Sequence, residues 1–148
     1  MPLIPDAAKI IRKNIKKART GKKPGVFAIG TLTANQLADL NKHRVGRNQP
    51  PMTGDLVFRG SHIYDRRICD DGYSVSDVIQ QILNATSADS IIVFSPKMTV
   101  LRSVHPRIDS MGNRVVDEVV LECTGKHPRA EIYGVIPRGD ILKPGKIP

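Results

Sequence analysis

An apolar run ending at Phe58-Arg59 leads into Gly60-Ser61-His62-Ile63-Tyr64-Asp65-Arg66-Arg67, and Asp71-Gly72-Tyr73-Ser74 follows. His62 carries the one side chain here whose ordinary pKa lies near neutrality, which suits it to take or give a proton. Arg66 stands four residues on, so on an α-helix it shares a face with His62, while Arg67 falls on the adjacent face. An imidazole beside guanidinium groups suits phosphate chemistry. RNA supplies its own nucleophile, the 2′-hydroxyl, so cutting it without a metal needs three things. A base takes the hydroxyl proton, an acid protonates the departing 5′-oxygen, and cations stabilise the charge that builds on the phosphorane. On this reading His62 is the acid or base, Arg66 is the catalytic cation, and Arg67 contacts RNA.

These residues need elements to hold them. Asp55 to Arg59 reads as a short strand, and Ser61 to Cys69 as a helix entered through Ser61 as its cap. Ser74-Val75-Ser76-Asp77 has the form of a capping box opening a helix that carries Val78, Ile79, Ile82 and Leu83 and ends near Ala85. Four strands are expected after it, over Ser90 to Phe94, Met98 to Val104, Arg114 to Cys123 and Glu131 to Ile136. Asp109-Ser110-Met111-Gly112-Asn113 reads as a hairpin turn between the second and third of these, and Lys126-His127-Pro128 joins the third and fourth.

Side chains alternate along a strand, so each strand sorts its residues between two faces. Val115, Val119, Leu121 and Cys123 fall on one face of the third strand, which leaves Glu118, Val120, Glu122 and Thr124 on the other. The same alternation gives an apolar face for the helices and a second face bearing Lys97, Thr99, Glu122, Thr124 and Tyr133. Lys97, Glu122, Thr124 and Tyr133 are therefore the expected catalytic neighbours of His62 and Arg66 across that face.

The first part of the chain has a different character. Ile4, Ala8, Ile11, Ile15 and Ala18 recur at helical spacing from Leu3 to Arg19, with Lys9, Arg12, Lys13, Lys16 and Lys17 covering most of the remaining surface. Gly21 and Pro24 end that helix. Val26 to Ile29 suits a strand or a docking segment, and Thr33 suits an N-cap for a second helix reaching about His43. Gly46 to Gly54, with Pro50-Pro51, is the best boundary, dividing a basic helical arm or cap over residues 1–50 from a core over 51–148. Helices first and an antiparallel meander after them predict an α+β fold, with N-terminal helices packed on a four- to five-stranded antiparallel sheet.

The net charge of +9 is concentrated in the first region, where eleven Lys and Arg face only Asp6 and Asp39; residues 51–148 are balanced, with twelve of each sign. Such an element attracts polyanions by steering and counterion release. Lys13, Lys16 and Lys17 are accordingly expected to bind RNA, joined on the core by Arg67, Arg102 and Lys126. A solvated helix face that keeps the protein in solution is the plainer alternative.

Other chemistries find little support. Cys69 and Cys123 lack C-x-x-C spacing and read as ordinary thiols. His105, Cys123 and His127 are too scattered for a zinc site, and no metal is expected. No Asp/Glu-x-Lys triplet of metal-dependent nucleases occurs, and neither G-x-G-x-x-G nor G-x-x-x-x-G-K-[ST] is present, so no cofactor is expected. No apolar run approaches the ~20 residues that cross a bilayer, and Lys and Arg interrupt the N-terminal apolar stretches where a secretory signal would lie.

A strand ending in Gly-x-His, a following Arg-Arg, a D-G-Y-[ST] turn into an amphipathic helix, and a meander beyond resemble the barnase, EndoU, colicin and RelE-like ribonuclease superfamily. The resemblance runs over about Leu56 to Pro137. It implies a metal-independent ribonuclease that leaves a 2′,3′-cyclic phosphate, with His62 as acid or base, Arg66 as phosphate ligand, and Thr124 and Tyr133 completing the site. It further implies a toxin domain of the contact-dependent or phage-encoded kind, acting on tRNA or another structured RNA in the cytoplasm and countered by an immunity protein. A noncatalytic nucleic-acid-binding module and an interaction protein docking through the basic helix stand beside this expectation.

Overall fold

The computed structural model describes residues 3–23, 25–95, 98–122 and 129–139. Helix α1 spans Ala7–Arg19 and buries Ala7, Ile11, Asn14 and Ile15, one face at helical spacing. It starts later than the apolar stripe suggested, because the preceding residues pair with a strand: Leu3 bridges Gly30, and the Ile4 N–H donates to the Ile29 carbonyl at 2.9 Å. At its other end Gly21 takes a φ of +77°, the Gly21 N–H donates to the Ala18 carbonyl at 3.1 Å and the Lys22 N–H to the Lys17 carbonyl at 3.2 Å. This is a Schellman stop, which glycine makes without Cβ strain.

Strand β1 (Phe27–Thr31) follows, then α2 (Ala34–Gly46), β2 (Asp55–Phe58), a single turn α3 (Ser61–Ile63), a π-helical segment (Tyr64–Asp70) and α4 (Val75–Ala85). Both α2 and α4 open on complete capping boxes, Thr33 with Gln36 and Ser74 with Asp77. Five strands follow among the described residues: β3 (Ile91–Phe94), β4 (Thr99–Arg102), β5 (Arg107–Ile108), β6 (Arg114–Glu122) and β7 (Ala130–Arg138).

The fold is α+β, with α1 packed on β1 and α4, but the sheet corrects the antiparallel expectation. Seven strands form a mixed sheet in the order β1-β2-β7-β6-β4-β3, with β5 paired to β6. Strand β2 lies parallel to β7, while the β3-β4-β6-β7 portion is the antiparallel meander. The parallel step is possible because α3, the π-helical segment and α4 lie in the long crossover between β2 and the meander. Leu56, Val57 and Phe58 are all buried, the continuous apolar run of a strand covered on both sides. The short β5 is a second departure, formed because the Asp109 turn returns the chain antiparallel onto Arg114 and Val115.

One apolar cluster joins Ile11 and Ile15 of α1, Ile29 of β1, Leu40 of α2, Phe58 of β2, Ile63 of α3, Ile82 of α4 and Leu101, Val119 and Ile132 of the meander. Residues on both sides of position 50 thus share a core and a sheet. The stretch between them is pinned to α2: Asn41 Nδ2 donates to the Met52 carbonyl at 3.0 Å, the Met52 N–H donates to Asn41 Oδ1 at 2.7 Å, and Arg44 Nε donates to the Pro50 carbonyl at 2.8 Å.

Candidate active site

The site begins where β2 loses its partner strand. Phe58 pairs with Ile132, and beyond it Arg59 Nε reaches Glu131 at 3.5 Å. The Gly60 N–H donates to buried Asn14 Oδ1 at 2.6 Å, while Asn14 Nδ2 donates to the Gly25 carbonyl at 3.2 Å. A Cβ on Gly60 would lie 2.9 Å from Asn14 Oδ1, 3.1 Å from Ile15 Cγ1 and 3.2 Å from Phe58 Cε1, so close approach requires glycine here. Helix α1 is therefore in contact with the very turn that launches His62.

Gly60 precedes α3 as its N-cap and Ser61 is its first residue, which corrects the reading of Ser61 as the cap. Ile63 is fully buried and anchors the turn in the core. From Tyr64 the backbone becomes π-helical, and such i→i+5 bonding widens the turn. The α-helical phase that set Arg66 on His62's face and Arg67 off it therefore ends at Ile63. Both guanidinium groups bear on the imidazole electrostatically. They differ in freedom: Arg66 Nη1 stands 3.6 Å from Asp70 and is largely exposed, whereas Arg67 is held tightly by Asp71 and is mostly covered.

Strand β7 supplies the other wall. Val120 of β6 pairs with Gly134 and Leu121 pairs with Ile132, so the ladder skips Tyr133 and forms a bulge there. A bulge frees a side chain from the regular alternation and re-aims it. The Tyr133 ring stacks on the His62 ring with centroids 4.3 Å apart and planes 19° apart. The imidazole lies against the backbone of β7 here, since a Cβ on Gly134 would be at ordinary contact distance, 3.6 Å, from His62 Cδ2. Glu122, one pair further along at Glu131, also acts on the imidazole as a charge. Two carboxylates directly opposite one another repel, and Arg59 offsets that repulsion on the Glu131 side.

The His62 pKa is lowered from 6.5, first by burial and then by Arg66 and Arg67, with Asp65 and Glu122 opposing. At neutral pH the imidazole is thus neutral and able to accept a proton. Beyond the π-helical segment, Gly72 turns the chain with a φ of +79°, and the Tyr73 hydroxyl donates to Asp109 Oδ2 at 2.9 Å. Burial and that carboxylate push the Tyr73 phenol up to about 12, which marks it as a fixed strut between the Asp-Gly-Tyr turn and the hairpin.

Of the residues expected from sequence, His62, Tyr133, Glu122, Arg66 and Arg67 come together. Lys97, Thr124 and Lys126 lie outside the described residues, as do Cys123 and His127. Arg102 is engaged elsewhere, its Nε donating to Glu118 Oε2 at 2.6 Å. Lys13, Lys16 and Lys17 project from α1, and with Ile10, Asn14 and Phe27 they line a hollow of about 510 Å³; Lys17 Nζ lies 5.8 Å from the Phe27 ring centre. Asn14, Arg59, Gly60 and Gly134 were missed as site-forming residues. A glycine directly after an aromatic residue inside a strand is the one signal that pointed to the bulge.

Among the described residues no cluster of His, Cys, Asp and Glu is arranged to hold a metal, and no helix is long and apolar enough to cross a membrane. Compared with known protein families, curated proteins and solved structures, the chain matches none.

Proposed function

We propose that the protein is a metal-independent RNA endonuclease. The observation that carries this reading is His62, kept neutral beside two arginines and stacked on Tyr133 at the mouth of a strand bulge. His62 takes the 2′-hydroxyl proton, the 2′-oxygen attacks phosphorus, and the 5′-oxygen leaves with a proton, giving a 2′,3′-cyclic phosphate. Tyr133 is exposed and carries an O–H donor for that last transfer. Arg66, the freer guanidinium, stabilises charge on the phosphorane. The resemblance to barnase, EndoU, colicin and RelE-like ribonucleases supports the same assignment and adds its context: a toxin domain, cytoplasmic at its site of action, with structured RNA such as tRNA as substrate and an immunity protein as partner.

Incubating total RNA with the protein in excess EDTA tests the proposal. Fragments ending in 2′,3′-cyclic phosphate are expected, and His62→Ala should cut their rate by about 10²- to 10⁴-fold, the usual share of a proton-transfer group. Intact RNA after incubation would sink it. A second reading, noncatalytic RNA binding, is favoured by the charges on α1: the ion pairs among the described residues engage arginines and one histidine, and no lysine. Under that reading His62→Ala changes nothing and RNA affinity rests on the lysines alone.

A further inference from the structure

Between the end of α1 and the start of α3 lies a cleft of about 640 Å³ lined by Ala18, Lys22, Lys23, Arg59, Ser61 and Asp65, together with Gly21 and Gly25. Three of these side chains are cationic and one is a carboxylate. The backbone that carries these cations is held on both sides of the cleft. Lys22 and Lys23 leave the Schellman stop of α1, where the Gly21 and Lys22 amides are bonded back to the helix. Arg59 is steadied by Glu131. Ser61 is the residue before His62 and brings a hydroxyl to the same cleft.

We infer that this cleft is a phosphodiester subsite, binding the RNA backbone next to the bond that His62 acts on. The inference rests on the ribonuclease reading for its orientation toward His62, and on the cleft alone for binding. A strand phosphate entering here meets two exposed ammonium groups, a guanidinium and a hydroxyl donor, the set that recognises a phosphate oxygen without reading the base. Lysine suits this task as a strongly hydrated point charge that adapts to a passing backbone. The contacts are made away from the reacting atoms, so they hold ground state and transition state alike; their loss raises KM and leaves kcat in place.

The test uses the full chain and a short, fluorescently labelled 2′-O-methyl oligoribonucleotide, which has no free 2′-hydroxyl and cannot be cut. Its affinity is measured by anisotropy across a salt series for the unaltered protein, for Lys22→Gln with Lys23→Gln, and for Lys42→Gln with Arg47→Gln. The second pair removes the same charge from α2, where Lys42 and Arg47 line a different groove against β3. All four side chains are exposed, so folding is preserved. The Lys22 and Lys23 substitutions should weaken binding about tenfold more than the control pair and reduce the slope of log K against log salt by about 1.4, the value for two phosphate contacts on a single strand. Amide resonances of Lys22, Lys23 and Ser61 should shift as the oligonucleotide is added. Equal losses for the two pairs, or unmoved resonances at the cleft, would overturn the subsite. If the oligonucleotide binds in the cleft but ordinary RNA stays intact, the subsite stands and the nuclease reading falls; if RNA is cut while the pairs behave alike, the reverse holds.

Discussion

Two polar regions of the same sheet use arginine and carboxylate in opposite ways. Toward the β4 side, Asp117 and Glu118 are fully buried on neighbouring positions of β6. Asp117 accepts from Arg107 Nε at 2.7 Å, Arg107 Nη2 at 2.9 Å and Asn84 Nδ2 at 3.1 Å. Glu118 accepts from Arg102 at 2.6 Å and Arg138 at 3.1 Å. Each carboxylate is surrounded, and its oxygens are committed to the fold. Around His62 the pairing is mixed: Arg67 is held tightly by Asp71, but Arg66 stands 3.6 Å from Asp70, Arg59 stands 3.5 Å from Glu131, and Glu122 bears on an imidazole rather than a guanidinium. The contrast separates charge spent on folding from charge left for a ligand. Residue type alone does not make that distinction, which is how Arg102 was grouped with the RNA-binding residues.

Asp117→Ala should have the largest effect on stability. It breaks a part-buried bidentate pair and leaves Arg107 and Asn84 without their acceptor, a loss of about 2–3 kcal/mol in chemical denaturation. Removing a site carboxylate, Glu122→Gln, should cost almost no stability by the same measurement; comparable losses would erase the distinction between the two regions. Gly60→Ala comes next. The added methyl meets Asn14, Ile15 and Phe58 at 2.9–3.2 Å, and overpacking of this kind costs about 1–3 kcal/mol. Because Gly60 launches α3, RNA cleavage should fall further than the lost folded fraction explains, and a strictly proportional loss would show that the turn does not position His62.

The smallest effect is a pH shift. If neutral His62 is the base, kcat/KM rises with pH through a limb below 6.5. In Arg66→Gln one of the cations disfavouring the imidazolium is gone, so the limb moves up toward 6.5. It stays short of that value because burial, the larger cause, remains. Glu122→Gln removes a charge that favours the imidazolium and moves the limb down. Limbs that coincide in all three proteins would assign the titration to another group.

What was legible in the sequence was local. The Thr33 cap, the Ser74-Asp77 box and the Gly21 stop each act within one helical turn, and all three stand as read. The alternation along β6 put Val119 and Leu121 in the core and Glu122 on the other face, where it bears on His62, whereas Tyr133 meets the imidazole from a bulge that alternation does not show. Long-range geometry was hidden. The parallel pairing of Leu56 with Ala130 depends on chain segments far apart in sequence, and Gly134 hints at a bulge whose place at Tyr133 appears only once β6 and β7 are in register. The π-helical segment carries no propensity signature of its own, so a run read as one α-helix changes pitch after Ile63. Asn14 could not be singled out, because an asparagine within a basic helix reads as surface until its partner, Gly60, is known.

The two-ended amide of Asn14 also limits how the protein can be dismantled. Trimming away the first helix would remove cationic charge, but it would equally strip the Gly60 N–H of its acceptor and take Ile11 and Ile15 out from beneath α3. The basic segment is thus not a detachable module that can be cut off or grafted elsewhere with the remaining scaffold left as it was. Its attraction for a polyanion and its service as masonry under His62 can be told apart by substitutions at exposed lysines, not by truncation.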